Sequence, residues 1–157
     1  MNIGMSAVNA RIMICILSVL MPFVLWVSTG TKLDSLSEYF YTPMGPFFVA
    51  ILTLTCYLMF TLPKWIPSAI LLIVVIMFPN REFPMVHNIA AVLFFITSAL
   101  AILFEGRYAF LGWLMLVFSP IAIFDLFYAE LVMILCVSSY HLKTLLLVRT
   151  LLKKNKR

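Results

Sequence analysis

Charge is scarce in this sequence. Only 11% of its 157 residues are charged and 64% are hydrophobic, whereas soluble domains carry about 25% charged and about 45–50% apolar residues. A chain of this length cannot bury so much apolar surface in one soluble core. The composition therefore excludes an ordinary soluble domain and predicts an all-α, polytopic transmembrane helical bundle whose solvent is the lipid bilayer.

Cysteines and catalytic motifs are also few. Cys15, Cys56 and Cys136 lie inside apolar runs without a close spacing, so they predict neither a disulfide framework nor a C-x-x-C metal site. The sequence has no H-x-x-x-H or H-E-x-x-H motif, no nucleophile elbow and no glycine-rich phosphate loop. We therefore expect no cofactor and no bound metal.

Six apolar runs divide the chain. They predict a single transmembrane domain over 1–157 with spans at about 12–28, 44–62, 66–79, 85–104, 108–124 and 128–148. The third run is short for a hydrocarbon core of about 30 Å, so it either crosses fully or forms a re-entrant segment. The first run contains Pro22 and Trp26, and "VSTGT" is a poor cleavage site, which favours an uncleaved helix over a signal peptide.

The basic residues are distributed unevenly. Six spans put both termini on one side, where nine of the eleven Lys and Arg residues fall, whereas five of the six carboxylates fall on the other side. The positive-inside rule then predicts that both termini are cytoplasmic. A basic tail at 149–157 follows the last span and predicts contact with anionic lipid rather than with nucleic acid. The residues assigned to that contact are Lys153, Lys154, Lys156 and Arg157.

The predicted topology gathers polar side chains at the non-cytoplasmic end. They are Asp34, Glu38, Tyr39, Tyr41, Arg81, Glu82, His87, Asp125, Tyr128 and Glu130. Asp125 and Glu130 stand out, because a carboxylate near hydrocarbon must pair, protonate or face a water-filled cavity. His87 and Arg81 are their candidate partners. Alternatively, the two carboxylates terminate helices at the head-group level.

The sixth span carries a polar stripe. Glu130, Ser138 and His141 share one helical face, because eleven residues make about three turns. Such a face either lines a proton or ion path or is an inward stripe whose Ser and His hydrogen-bond across helices.

Three segments resemble one family. "SLSEYFYTPMGPFFVAILTL", "VHNIAAVLFFITSALAIL" and "YAELVMILCVSSYHLKTLL" are similar to parts of small bacterial multispanning membrane proteins with an S-[IL]-S-x-Y-[YF]-Y-T-P first-loop motif. The resemblance implies a bacterial inner-membrane location and supplies no established activity. It singles out Ser35, Ser37, Tyr39, Tyr41, Thr42, Pro43, His87 and Glu130. A more distant likeness is to ceramidase and progestin-receptor-like membrane hydrolases, whose closing H-x-x-x-H is absent here.

Three functions follow as hypotheses. The first is a non-enzymatic membrane protein that binds a protein or lipid partner, or a second copy of itself, through the non-cytoplasmic rim. Its candidate contacts are Ser35, Ser37, Glu38, Tyr39, Tyr41, Arg81, His87, Asp125 and Glu130. The second is an intramembrane hydrolase with a carboxylate and histidine site, and the third is an ion conductor along the polar stripe. "SLSEYFYTP" is then either a lid that contacts ligand or a structural cap.

Overall fold

In the computed structural model, the backbone is described for residues 3–154 and the side chains for 7–122 and 124–147. Within this range the chain forms helices and no strand, which confirms the all-α class. The α-helices are α1 (Ile3–Thr29), α2 (Gly45–Phe60), α3 (Ile66–Met77), α4 (Pro84–Phe104), α5 (Ala109–Phe118) and α6 (Leu126–Lys154). Three short 3-10 helices join them: η1 (Leu36–Tyr41), η2 (Pro63–Trp65) and η3 (Ser119–Ile123).

Three helical segments are long and apolar enough to cross a membrane. They are Ala7–Thr29, Pro84–Phe104 and Leu126–Leu147. The other apolar segments, Gly45–Phe60, Pro63–Met77 and Ala109–Ala122, are shorter. At 1.5 Å per residue, the 16 residues of α2 reach about 24 Å. The chain thus has the helices of a membrane protein, and half of its apolar helices are shorter than a typical hydrocarbon core.

Helix bounds differ from the apolar runs at three places. α1 begins at Ile3, well before the first run, because "GMSAVNA" is compatible with a helix although it is not strongly apolar. The fifth run is interrupted, since α5 ends at Phe118 and Pro120, which lacks an N–H, lies in η3. α6 continues to Lys154 because "TLLLVRTLLKK" is rich in helix-forming residues. The lipid contacts predicted for Lys153, Lys154, Lys156 and Arg157 fall on side chains outside the described part of the chain.

The helices form a closed ring. Each α-helix packs against the next one in sequence, and α6 returns to pack against α1. Lys32 meets Asp125 and Glu38 meets Arg81 at one end of the ring, whereas Arg11 meets Glu105 and His141 at the other. Successive helices therefore run in opposite directions, and the connections fall at two ends. We call the end that holds 30–44, 78–83 and 124–125 the loop end, and the end that holds 61–65 and 105–108 the opposite end. The main core between the helices buries large side chains such as Trp65, Met59, Ile102 and Tyr140.

Candidate functional site

The first loop is folded against the loop end of the ring. Its residues 36–41 form η1, and the Tyr39 side chain is fully buried. The Tyr39 hydroxyl donates a 2.9 Å hydrogen bond to the Thr31 carbonyl, which ties the two halves of the loop together. A Cβ at Gly45 would lie 2.2 Å from the Phe40 carbonyl oxygen, so only glycine allows α2 to begin this close to η1. Tyr39, a predicted contact residue, therefore serves the packing of the loop.

An ion pair and a tyrosine join the first loop to the connection between α3 and α4. The Arg81 guanidinium donates to Glu38 Oε2, at 2.6 Å from Nη2 and 3.2 Å from Nε. The Tyr41 hydroxyl donates to Glu82 Oε2 at 2.6 Å and accepts the Arg81 backbone N–H at 2.7 Å. The hydrogen bond with Glu38 raises the pKa of Arg81, and desolvation followed by the bond to Glu82 raises the pKa of Tyr41. Because the Arg81 side chain is 61% exposed, this pair fixes the loop's position more than it adds stability.

A second ion pair joins the first loop to the start of α6. Lys32 Nζ donates to Asp125 Oδ2 at 2.6 Å, and Asp125 Oδ1 accepts the Tyr128 N–H at 3.1 Å as an N-cap. The hydrogen bond from Lys32 holds the pKa of the Asp125 carboxyl below its ordinary value, and the same bond raises the pKa of Lys32. The expectation that Asp125 pairs with His87 or Arg81 is therefore wrong, whereas its role at a helix terminus agrees with the alternative.

Glu130 is a buried carboxyl on α6, only 7% exposed. Its Oε2 accepts the Leu36 backbone N–H at 2.6 Å, at the point where η1 begins. It lies beyond the first turn of α6, which starts at Leu126, and so does not cap that helix. The partner expected for it was His87 or Arg81, and the observed partner is instead the backbone of the first loop. Glu130 thus holds η1 against α6 from inside the bundle.

His87 and Ser37 meet where α4 begins. His87 Nε2 lies 2.8 Å from Ser37 Oγ, and His87 Nδ1 lies 2.9 Å from the Phe78 carbonyl oxygen. A carbonyl oxygen only accepts, so Nδ1 carries a proton and, in the neutral ring, Nε2 accepts the Ser37 hydroxyl proton. The imidazole is 5% exposed. This pair joins the first loop to α4, and the sequence signalled it only through the family resemblance, which singled out both residues.

A cavity of about 350 Å³ lies beneath the first loop, between α4, α5 with η3, and α6. Its polar lining residues are Ser35, Ser37, Asn80, His87, Asn88, Ser119 and Glu130. Most of the remaining lining is apolar and lies deeper along the same helices, as with Phe95 on α4, Met115 on α5 and Met133 on α6, whereas Ala122 and Leu126 are apolar lining residues near the loop end. Val92, which lines the cavity, is 57% exposed. The cavity therefore has a polar head at the loop end, a mainly apolar body, and at least one exposed lining residue.

The opposite end holds a polar cluster that the sequence reasoning missed. Arg11 Nη2 lies 3.4 Å from Glu105 Oε1, and Arg11 Nη1 lies 3.3 Å from His141 Nδ1. The Tyr140 hydroxyl donates to the other oxygen of Glu105. The predicted topology already put Arg11 and Glu105 on the same side of the membrane, at the ends of the first and fourth spans. This shared side was the sequence evidence from which the cluster could have been predicted.

The predicted polar stripe of α6 is buried but divided between these two regions. Glu130 binds the first loop, the Ser138 hydroxyl donates to the Ile134 carbonyl at 2.9 Å, and His141 contacts Arg11. The His141 ring also stacks near Trp65, with centroids 4.6 Å apart. The stripe residues therefore have separate partners. His141 meets Arg11 of α1, as the packing alternative expects, whereas Ser138 bonds within α6, so the bond across helices expected for Ser138 is wrong.

The structure brings the predicted contact residues to one end but not into one cluster. Ser35, Ser37, His87 and Glu130 line the cavity, whereas Glu38, Tyr41, Arg81 and Asp125 form the exposed hydrogen bonds above it. Among the described side chains, no three His, Cys, Asp or Glu residues group in a way that could hold a metal ion. No family model, curated protein or solved structure matches the chain. The cavity and its lining residues are therefore the feature of the described chain from which a function can be proposed.

Proposed function

We propose that this protein binds an amphipathic lipid-like molecule of the membrane in the cavity between α4, η3 and α6. The main observation in support of this proposal is that the cavity has a polar end beneath the first loop and mainly apolar walls deeper in the bundle. Its volume of about 350 Å³ lies in the range of roughly 300–1,000 Å³ that ligand pockets have. An acyl chain fits the apolar walls, and its head group fits the polar end.

The lining favours a head group that donates hydrogen bonds. Glu130 offers a carboxyl, and Ser37 and Ser119 offer hydroxyls, whereas no lysine or arginine is among the described residues that line the cavity. A hydroxyl or ammonium group satisfies such acceptors, while a bare anion finds no cation there. We therefore expect a neutral or amine-bearing lipid rather than one recognised by its phosphate.

The proposal includes the topology. All six helices cross a bacterial inner membrane with both termini in the cytoplasm, and η2 and η3 extend the shorter helices. Two features support this arrangement: successive helices alternate in direction, and four of the six basic residues whose side chains are described lie at or near the opposite end. In a background without native cysteines, Asp34→Cys should react with an impermeant maleimide in intact cells, and Lys64→Cys only after permeabilisation. The reverse pattern would refute the orientation.

Filling the cavity tests the binding function. Ala91 and Ala122 line it, whereas Ala50 is exposed on α2 and is not among its lining residues. Purified in mild detergent and analysed by native mass spectrometry, wild-type protein should retain lipid, and Ala91→Phe and Ala122→Phe should retain at least about tenfold less. Ala50→Phe is the matched control and should behave as wild type. Equal lipid retention in all four folded proteins would refute the proposal.

A further inference from the structure

The contact between Ser37 and His87 has the geometry of a nucleophile and its base. The distance of 2.8 Å between Ser37 Oγ and His87 Nε2 lies within hydrogen-bond reach. His87 is oriented by a third group, since its Nδ1 donates to the Phe78 carbonyl at 2.9 Å. A nucleophile, a base and a group that orients the base are the parts that activate a serine hydroxyl. The carbonyl sets the tautomer, as a carboxylate does in a Ser-His-Asp triad, but adds no full negative charge.

Ser37 is held in place from both sides. The residue before it, Leu36, donates its N–H to the buried Glu130, and the residue after it, Glu38, accepts two hydrogen bonds from Arg81. A surface serine that meets a histidine by chance has no such support. The hydroxyl is therefore preorganised at the head of the cavity, which contributes to catalysis by reducing the ordering cost of the reaction.

A substrate bound in the cavity has its acyl group next to Ser37 and His87. Ser37 and His87 both line it beside apolar walls, so an ester whose acyl chain enters the walls has its carbonyl near the polar head. Asn80 and Asn88 line the same head and carry amide N–H donors. Donors of this kind stabilise the oxyanion that forms when a carbonyl is attacked.

We propose that Ser37 and His87 are the catalytic residues of an acyl-ester hydrolase site in this cavity. Ser37 Oγ forms a bond to the ester carbonyl carbon while His87 Nε2 takes the hydroxyl proton. The bond to the leaving alcohol breaks, and His87 gives the alcohol that proton. Water then attacks the acyl-Ser37 ester, its proton passes through His87 to Ser37 Oγ, and the carboxylic acid leaves. The substrate class rests on the lipid cavity proposed above, whereas the catalytic pair rests on its own geometry.

Covalent labelling tests the nucleophile directly. Full-length protein in mild detergent is treated with an alkyl fluorophosphonate, and the adduct is mapped by peptide mass spectrometry. We expect the phosphonate on Ser37 in wild type and its loss in His87→Ala. Hydrolysis of a p-nitrophenyl ester of a medium-length fatty acid should fall at least about 100-fold in Ser37→Ala and in His87→Ala. Ser139→Ala, on α6 and outside the cavity lining, is the matched control and should hydrolyse the ester as wild type does.

The outcomes separate this proposal from lipid binding. Wild-type protein that retains lipid but gives no adduct on Ser37 and no hydrolysis above Ser37→Ala would overturn the catalytic site and leave the binding function standing. An adduct on Ser37 in protein that retains no lipid would support the catalytic pair and overturn the binding function. The adduct on Ser37 is mapped in wild-type protein, so that outcome does not depend on the folding of any variant.

Discussion

The buried hydrogen bond between Glu130 and the first loop leads to a quantitative prediction. Glu130→Ala removes the acceptor of the Leu36 N–H, and both residues are less than a tenth exposed. A buried donor left without a partner costs about 1–3 kcal/mol. Glu130→Gln keeps an acceptor oxygen at the same reach, so we expect it to cost less than about 1 kcal/mol.

The cost should appear as local opening of η1. A loss of about 2 kcal/mol corresponds to roughly a 30-fold larger opening constant. Hydrogen exchange measured by mass spectrometry on peptides that cover 35–43 should therefore quicken about 30-fold in Glu130→Ala. It should stay within a few-fold of wild type in Glu130→Gln.

Asp34→Ala supplies the control for this experiment, since Asp34 is an exposed acid of the same loop. It should leave the exchange of 35–43 unchanged. If Glu130→Ala also left that exchange unchanged, or if Glu130→Gln accelerated it equally, the carboxyl would not hold the loop and the reasoning would fail.

Three further predictions concern other contacts. Glu105→Gln weakens the ion pair between Glu105 and Arg11, whose side chains are 18% and 16% exposed. Because this pair is partly buried, its loss should cost more than that of a surface pair and less than that of a buried pair. We expect the free energy of unfolding in detergent to fall by about 2 kcal/mol. Gly45→Ala places a methyl group on the η1 backbone and should lower the melting temperature and speed exchange in the first loop. The ion pair between Lys32 and Asp125 should break in acid. Because the pKa of Asp125 is lowered in the folded protein, the pair stabilises the fold above about pH 4. This stabilisation is lost as the pH falls through the pKa of Asp125 in the folded protein. Hydrogen exchange at 30–34 should therefore rise at low pH in the wild-type protein. Asp125→Asn still caps α6 and should show no such rise.

The controls and contrary outcomes are equally specific. Arg107→Gln alters an exposed cation at the same end as Glu105 and should change the unfolding free energy by less than about 0.5 kcal/mol. A Glu105→Gln protein as stable as wild type would show that the cluster contributes nothing. An unchanged melting curve in Gly45→Ala would mean that η1 shifts freely. If exchange at 30–34 still rose in acid in Asp125→Asn, a group other than Asp125 would be responsible for the rise.

The arrangement of polar groups shows how far sequence reasoning reached. Net charge and alternating spans placed Glu38, Arg81, His87 and Glu130 at one end, where the structure also has them. The pairing was harder to predict, because Asp125 meets Lys32 and not His87 or Arg81. Which carboxylate meets which partner depends on the closure of the ring between α1 and α6, and no local pattern encodes that closure.

The pairing of Ser37 with His87 was missed for a similar reason, although the family resemblance had singled out both residues. Ser37 stands in no nucleophile-elbow motif, and its partner His87 is 50 residues away in the chain. A motif search detects catalytic groups that one segment brings together. Here two connections, the first loop and the one between α3 and α4, must pack side by side before the hydroxyl reaches the imidazole.

The sequence by itself determined the helical class, the positions of the apolar runs and the end at which most carboxylates lie, because hydropathy and charge act locally along the chain. Only the tertiary structure decided that Glu130 binds the start of η1, that Ser37 meets His87, and that the break at η3 accompanies a cavity beneath them. These features depend on distances of about 3 Å between distant segments. Such distances are set by the packing of the whole ring of helices, which a linear pattern of residues does not specify.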